Sequence, residues 1–270
     1  MSNYYLYKGF WRFADAPDRE VLLEAQSAQS LLAQGGWFVR NSHHFDCQEH
    51  TNFWYIVKDH FGGFDELSSN TRRKVRKALR CIEYKIVDKD YLKQHGYSLY
   101  QETLKSYFSD GSALSEAAFV DTIDKPYVEC WGCFDKNNQA FVGFSVNFCW
   151  DEACGYDLLA ILPEYRHNAT YIYYGLIYSM NEYYLNQKRL RYVTDGSRSI
   201  TEHSGVQQWL IHFFAFRKAY CKLEVHYRWW MKIAVKILYP FRKIITIPQV
   251  KAVLNMESMK TENGKRKVEN

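Results

Sequence analysis

The segment Leu162-Pro163-Glu164-Tyr165-Arg166-His167-Asn168-Ala169-Thr170-Tyr171 carries the residues best suited to hold an anionic ligand. It joins an apolar run, Gly155 to Leu162, to a tyrosine-rich stretch from Ala169 to Asn186 that reads as a helix. An arginine and the unsatisfied backbone N–H groups of a helix start, just beyond the carboxyl end of a strand, can grip a pyrophosphate through charge and hydrogen bonds. In that reading Arg166 supplies charge-assisted hydrogen bonds, and the amides of Asn168, Ala169, Thr170 and Tyr171 form the cradle. An ordinary polar strand-to-helix connection has the same composition.

Other titratable groups offer proton transfer. Asp157 and Glu129 are carboxylates inside core strand-like segments, and alternation places Asp157 on the face of Leu159 and Ile161. Burial there would raise its pKa toward that of a general base near neutral pH, whereas a strand-end position facing solvent would not. Asp195, Ser197, Arg198 and His203 form a dense polar cluster after the strand Leu190 to Thr194, at the edge where ligands of α/β sheets collect. Arg198 can bind a carboxylate or phosphate there; the alternative is a surface turn at Asp195-Gly196 with Arg198 paired to Glu202. His212 titrates near neutrality but lies in an aromatic run that also suits packing. Cys130 and Cys133, three apart on a strand, point to opposite faces, so they do not make a zinc knuckle with Cys149 and Cys154, and no metal is expected.

The elements that must position these groups alternate along the chain. A strand at Tyr4 to Phe13, a helix at Asp18 to Gln34, strands at Trp37 to Asn41 and Phe53 to Lys58, and a basic helix from Asp65 with a cap at Ser68 or Ser69 precede the second half. Val75, Ala78, Leu79 and Ile82 mark the buried face of that helix. Helices at Asp90 to Phe108 and Glu116 to Ile123 follow, then strands at Tyr127 to Phe134, Ala140 to Trp150 and Gly155 to Leu162. After the tyrosine-rich helix come the strand at Leu190, a loop from Asp195 to Gly205, a helix at Val206 to Lys218 and a strand at Tyr220 to Tyr227. The tail from Asn255 is polar and charged, and disorder is expected there.

Composition fits a packed protein. Its 270 residues are 47% apolar and 24% charged, with 22 tyrosines, 17 phenylalanines and 8 tryptophans, which exclude an intrinsically disordered chain. The net charge of +5 is concentrated locally, at Arg72, Arg73, Lys74, Arg76, Lys77 and Arg80 and in the tail. An odd count of seven cysteines and the lack of an opening secretory pattern point to a reducing, cytoplasmic setting. Trp229 to Ile247 is apolar but broken by Lys232, Lys236, Pro240, Arg242 and Lys243, so it suits an interfacial helix on an anionic membrane surface, or packing, better than a span.

The strand, Pro-x-x-Arg and helix around Arg166 resemble the acyl-coenzyme A signature of the GNAT acyltransferases, Arg/Gln-x-x-Gly-x-Gly/Ala, with Ala169 and Tyr171 standing in for the glycines. The order of elements over roughly residues 90 to 228 is similar to a GNAT core, and Ala215-Phe216-Arg217 resembles its late Gly-Phe-Arg. Trp54-Tyr55-Ile56-Val57-Lys58, the Leu67 to Ala78 stretch and Asp195-Gly196-Ser197-Arg198-Ser199 resemble the FemAB-like branch, in which a degenerate first unit precedes the working one.

The resemblance implies an α+β fold with a mixed, mostly antiparallel sheet flanked by helices. Its implied divisions are a degenerate N-terminal unit (1–88), a transferase core (89–228), a basic aromatic extension (229–254) and a disordered tail (255–270). It implies an N-acyltransferase moving an acyl group from acetyl-coenzyme A or another acyl-coenzyme A to a small-molecule amine, such as that of a sugar or sugar nucleotide in surface-polysaccharide synthesis. Leu159 to Leu162 would pair with the pantetheine arm, Asp195 and Asp157 would handle the amine proton, and Ser197, Arg198 and His203 would bind the acceptor. The tyrosine that usually acts as acid is missing, since counting back from Ala215-Phe216 reaches Ile211 or Leu210, and His212 or Tyr220 is left for that role. Fem proteins use aminoacyl-tRNA, and that donor would account for both the altered glycines and the basic helix. A non-catalytic GNAT fold working as a membrane-associated assembly partner, peripheral at the inner face, is the other alternative.

Overall fold

A computed structural model describes residues 4–7, 9–105, 113–166, 168–200 and 205–260. The chain divides into two compact units, one made of residues 1–56, 197–208 and 218–270, the other of 57–196 and 209–217.

In the first unit, β1 (Tyr4–Tyr7) and β2 (Phe10–Phe13) form an antiparallel hairpin instead of one continuous strand, because the chain reverses next to Gly9, whose φ of 84° favours glycine. Helix α1 (Ala25–Ala33) is half the expected length, since Glu24 is extended and serves as its N-cap. Strands β3 (Phe38–His43) and β4 (Phe53–Lys58) follow, and β10 (Arg217–Tyr227) returns late in the chain to pair antiparallel with β3. The order here is β1-β2-β3-β10-β4, with β2 and β3 parallel. Helices α8 (Trp229–Leu238) and α9 (Pro248–Met259) pack on this sheet through Met231, Val235, Leu254, Met256 and Met259 against Phe38, Phe53 and Leu223. The chain is thus helical to Met259, past the point where the disordered tail was expected; the Tyr227 hydroxyl donates to Glu257 (2.7 Å) and helps hold α9. Residues 261–270 lie outside the described residues.

The second unit holds the candidate chemistry. Helix α2 (Ser69–Cys81) is capped by Ser68, whose hydroxyl accepts from the Thr71 amide (3.2 Å). It runs straight into a strand the periodicity missed, β5 (Ile82–Val87). Helices α3 (Lys89–Lys105) and α4 (Glu116–Asp124) precede the antiparallel strands β6 (Val128–Asp135), β7 (Phe141–Cys149) and β8 (Ala153–Ile161). Short α5 (Pro163–Arg166) and then α6 (Ile172–Asn181) follow; α6 continues as a π-helical turn, Glu182–Gln187. Strand β9 (Tyr192–Ser197) and α7 (Gly205–Phe214) complete the order β9-β8-β7-β6-β5.

Alternation sorts the two faces of this sheet. Val128, Cys130, Phe144, Val146 and Ala160 join Leu92, Leu99, Phe119 and Ile123 in a core beneath α3 and α4. On the other face Trp131, Asn147 and Tyr156 meet α6 and its π-helical turn through Tyr184, Met180 and Asn181. The result is the mixed, mostly antiparallel sheet with helices on both faces that the sequence led us to expect. Gly175 sets the approach of α6, because a Cβ there would lie 2.3 Å from the Tyr84 hydroxyl, which donates to the Ile172 carbonyl (3.0 Å).

Gly175→Ala should therefore cost about 1–3 kcal/mol of stability by overpacking. In a Tyr84→Ala background the same change should be neutral or stabilising, since alanine is the better helix former by about 1 kcal/mol. Urea unfolding of the four proteins in this cycle reads the difference.

Candidate functional site

Strand β8 is interrupted where the site lies. Its antiparallel register with β7 runs Ile161↔Gly143 to Leu158↔Val146, then resumes at Tyr156↔Asn147, leaving Asp157 as the extra residue of a bulge. On its other side β8 pairs with β9 in parallel through Ala153, Cys154 and Gly155, and among the described residues the register goes no further than Gly155↔Thr194. The two strands part at the bulge. Leu162 donates to the Val142 carbonyl (3.0 Å), and ladder alternation then turns the N–H and C=O of Leu159 and Ile161 away from β7, toward the open side.

Asp195 lies just past the last β8–β9 pair. It is the fourth residue of β9, so it and Gly196 belong to a strand and not to the expected loop; Gly196 has a φ of 81°, which favours glycine. Burial pushes the Asp195 carboxyl up to about 7, and repulsion from Asp157 adds to the rise. Asp157 itself is exposed at the bulge, so of these two carboxylates Asp195 is the one whose surroundings oppose ionisation. The bulge explains the difference, because an extra residue breaks the alternation that would have set Asp157 on the face of Leu159 and Ile161.

The loop after β8 is tightly built. Arg166 directs Nε to the Ile161 carbonyl (3.1 Å) and Nη2 to the Thr103 carbonyl (3.0 Å), while the Thr103 hydroxyl donates to the same Ile161 oxygen (3.1 Å). The Tyr165 hydroxyl donates to Asp135 (2.7 Å), fixing α5 to the β6–β7 hairpin. Leu162 is half-buried beside these contacts. The Asn168 carboxamide oxygen accepts from the Thr170 amide (2.9 Å) and from the Thr170 hydroxyl, and Ala169 is exposed. Tyr171 stands at the N-cap of α6 with φ 55° and ψ 38°, so the helix starts three residues later than its composition suggests. Arg166 is a strand-end clamp, and the Thr170 amide already has an acceptor within the loop.

Beside Tyr171 lies a cluster that sequence reading did not assemble. Lys74 of α2 donates to the Tyr174 hydroxyl (3.1 Å) and sits over the rings of Tyr174 (4.7 Å), Phe213 (5.4 Å) and Tyr171 (5.6 Å); Lys77 lies over Tyr171 (5.9 Å). Farther round α2 a groove of about 570 Å³ is lined by Ser69, Arg72, Arg73, Arg76, Leu79 and Arg80. The Arg72 Nε is buried without a hydrogen-bond partner among the described residues. The i, i+3, i+4 spacing of these cations was visible in the sequence, but the concavity was not.

The remaining expected residues are distributed differently. Ser197 and Arg198 belong to the first unit, where the Arg198 amide donates to the Trp54 carbonyl (2.7 Å) and its Nη1 to the Asn52 carbonyl (2.7 Å); the Ser197 carbonyl accepts from Gln207 (3.0 Å). His212 is exposed on α7 with its ring edge-on to Phe213 (4.5 Å). His203 lies outside the described residues, as does Glu202.

No protein-family model and no curated protein sequence matches the chain. Solved structures do. The crystal structure of FemX aligns with a TM-score of 0.53 at 10% identity, over 78% of this chain and 78% of that one. The structure of L-PGS from Bacillus licheniformis aligns with a TM-score of 0.53 at 9% identity, over 96% of this chain and 85% of that one. At such identities the likeness is one of fold, and the fold is GNAT-like.

Asp195 gives a stability prediction with a definite sign. Its folded pKa lies above the 3.8 of a free carboxyl, so the wild type is most stable, in this respect, below about pH 4 and loses stability as pH rises to about 7. Asp195→Asn should therefore gain on the wild type steadily across that window and hold its advantage above it, as read by urea midpoints at pH 4, 6 and 8. Arg166→Gln, which removes charge-assisted bonds to two carbonyls, should lower stability by about 1.5–3 kcal/mol at all three.

Proposed function

We propose that the chain is an acyltransferase in which Asp195 takes the proton of an acceptor amine at the parting of β8 and β9. The observation that carries this reading is the half-buried Asp195 just past the last β8–β9 pair, where desolvation and Asp157 bring its pKa to about 7. The amine nitrogen attacks the acyl carbonyl, a C–N bond forms, and Asp195 accepts the nitrogen's proton. The Leu159 N–H, facing the open side, is the donor suited to the developing oxyanion. As the bond to the leaving sulfur or oxygen breaks, protonated Asp195 returns the proton to it, so one group near neutrality serves as base and then as acid. Fold alone does not supply this chemistry. The acceptor as an amine of a sugar or sugar nucleotide rests on the FemAB-like resemblance.

Two donors fit, a coenzyme A thioester and an aminoacyl ester on tRNA. The loop favours the second. Arg166 is engaged by two carbonyls, Asn168 occupies the Thr170 amide, and Tyr171 stands where a phosphate would need a bare backbone. The arginine-lined groove of α2 offers instead the repeated positive charge that a nucleic-acid backbone takes up.

Filter binding of aminoacyl-tRNA across a salt series, beside calorimetric titration with acetyl-coenzyme A, separates the donors. We expect tRNA binding whose log–log salt slope falls by about 2 in Arg73→Glu/Arg76→Glu, roughly one phosphate contact per residue, and no micromolar binding of acetyl-coenzyme A. Micromolar acetyl-coenzyme A binding that weakens at least tenfold in folded Arg166→Ala would overturn the tRNA reading and restore the thioester.

A further inference from the structure

Helix α8 has two apolar sides. Met231 and Val235 face the core with Leu254 and Met256, whereas Trp229, Trp230, Ile233 and Ile237 fall on the opposite side, and Trp229 is 77% and Ile237 61% exposed. The outward side of a surface helix is ordinarily polar. Here the exposure continues past the helix, through Phe241 and Ile247 to Ile244 at 74%. Lys232 and Lys236 flank the outward stripe, and Lys243 is exposed among the last three apolar residues. Between Glu224 and Glu257 the sequence has no acidic residue and six basic ones, Arg228, Lys232, Lys236, Arg242, Lys243 and Lys251. Arg228 is spent on the Gly36 and Leu32 carbonyls (2.7 and 2.6 Å) and Arg242 donates to the Tyr239 carbonyl (3.4 Å), so the exposed Lys232, Lys236 and Lys243 carry the charge of this face.

We infer that the outward face of α8 and the turn after it dock on an anionic lipid bilayer. The charge pattern selects this occupant. A second copy would set these lysines against their own copies, and a compact protein partner would need a broad apolar face interleaved with acidic groups. A bilayer with anionic headgroups provides both at once: tryptophan and isoleucine side chains enter the boundary between headgroups and acyl chains while lysines reach the phosphates. The helix would lie in the surface plane, since no helix among the described residues is long and apolar enough to cross a membrane. This surface is independent of the transfer chemistry.

Flotation of the purified chain with vesicles of phosphatidylcholine alone, or of phosphatidylcholine with phosphatidylglycerol, tests the inference. The chain should float with the anionic vesicles and at least tenfold less with the neutral ones, and about 0.5 M salt should weaken binding by screening. Trp229→Ser/Ile237→Ser and Lys232→Glu/Lys236→Glu should each lose at least tenfold in vesicle affinity with unchanged thermal melts, because all four side chains are exposed. Failure of the wild type to float with anionic vesicles, or equal flotation of both variants, would overturn the inference. So would a concentration-dependent dimer in light scattering that disappears in Trp229→Ser/Ile237→Ser, which would assign the face to a second copy.

Discussion

A strand that leaves its neighbour must still satisfy its backbone, and β8 does so beyond Gly155. The Ile161 carbonyl, turned from β7 by the ladder, receives the Thr103 hydroxyl and the Arg166 guanidinium. Those two contacts explain much around them. They hold the end of α3 against β8, since Arg166 also binds the Thr103 carbonyl, and they fix the end of α5. The Leu159 groups between this clamp and the bulge stay turned to the open side. This edge between a bulge and a clamp, with no β9 register beyond Gly155 among the described residues, is the place the proposed donor would lie.

Beneath that edge a buried polar network holds the bulge in register. Ser145 donates to Asn147 (2.7 Å), Asn147 to Tyr184 (3.1 Å), Trp131 to Tyr184 (3.0 Å) and Tyr156 to Asn181 (2.8 Å). Tyr184 reaches the sheet from the π-helical turn, whose extra residue per turn redirects it, and its fully buried hydroxyl stays protonated because burial raises its pKa far above the ordinary value. Tyr156 is the last residue before the bulge, so this network fixes the strand up to the position where Asp157 departs. Asp195 thereby gains a neighbour that opposes its ionisation, and a burial that opposes it more.

The sequence disclosed the architecture through local rules and concealed the site through tertiary ones. Ser68 before Val75 and Ala78, and Ser115 before Phe119 and Ile123, announce α2 and α4 by cap and spacing, and both caps are made. β5 was hidden because Ile82 continues the apolar spacing of α2 while beginning a strand. The end of α9 from Asn255 was hidden because the polar composition there is ordered by the buried Met256 and Met259 and by the Tyr227 contact. The Arg166 motif has the right residue in the right element, but only the packed structure shows its guanidinium turned inward to carbonyls. Asp195 was found as a member of a polar cluster; its pKa depends on burial and on the approach of Asp157, and no spacing records those.

The proposed chemistry requires Asp195 to ionise near neutrality, which burial first and the neighbouring Asp157 second bring about. Carbon-detected NMR titration of its side-chain carboxyl, in the wild type and in Asp157→Asn, measures this directly. The expected midpoint is about 7 in the wild type and lower, still well above 3.8, in the variant, because burial is the larger cause and repulsion the smaller. A wild-type midpoint below about 5, ordinary for a solvated carboxyl, would contradict it and remove Asp195 as the base.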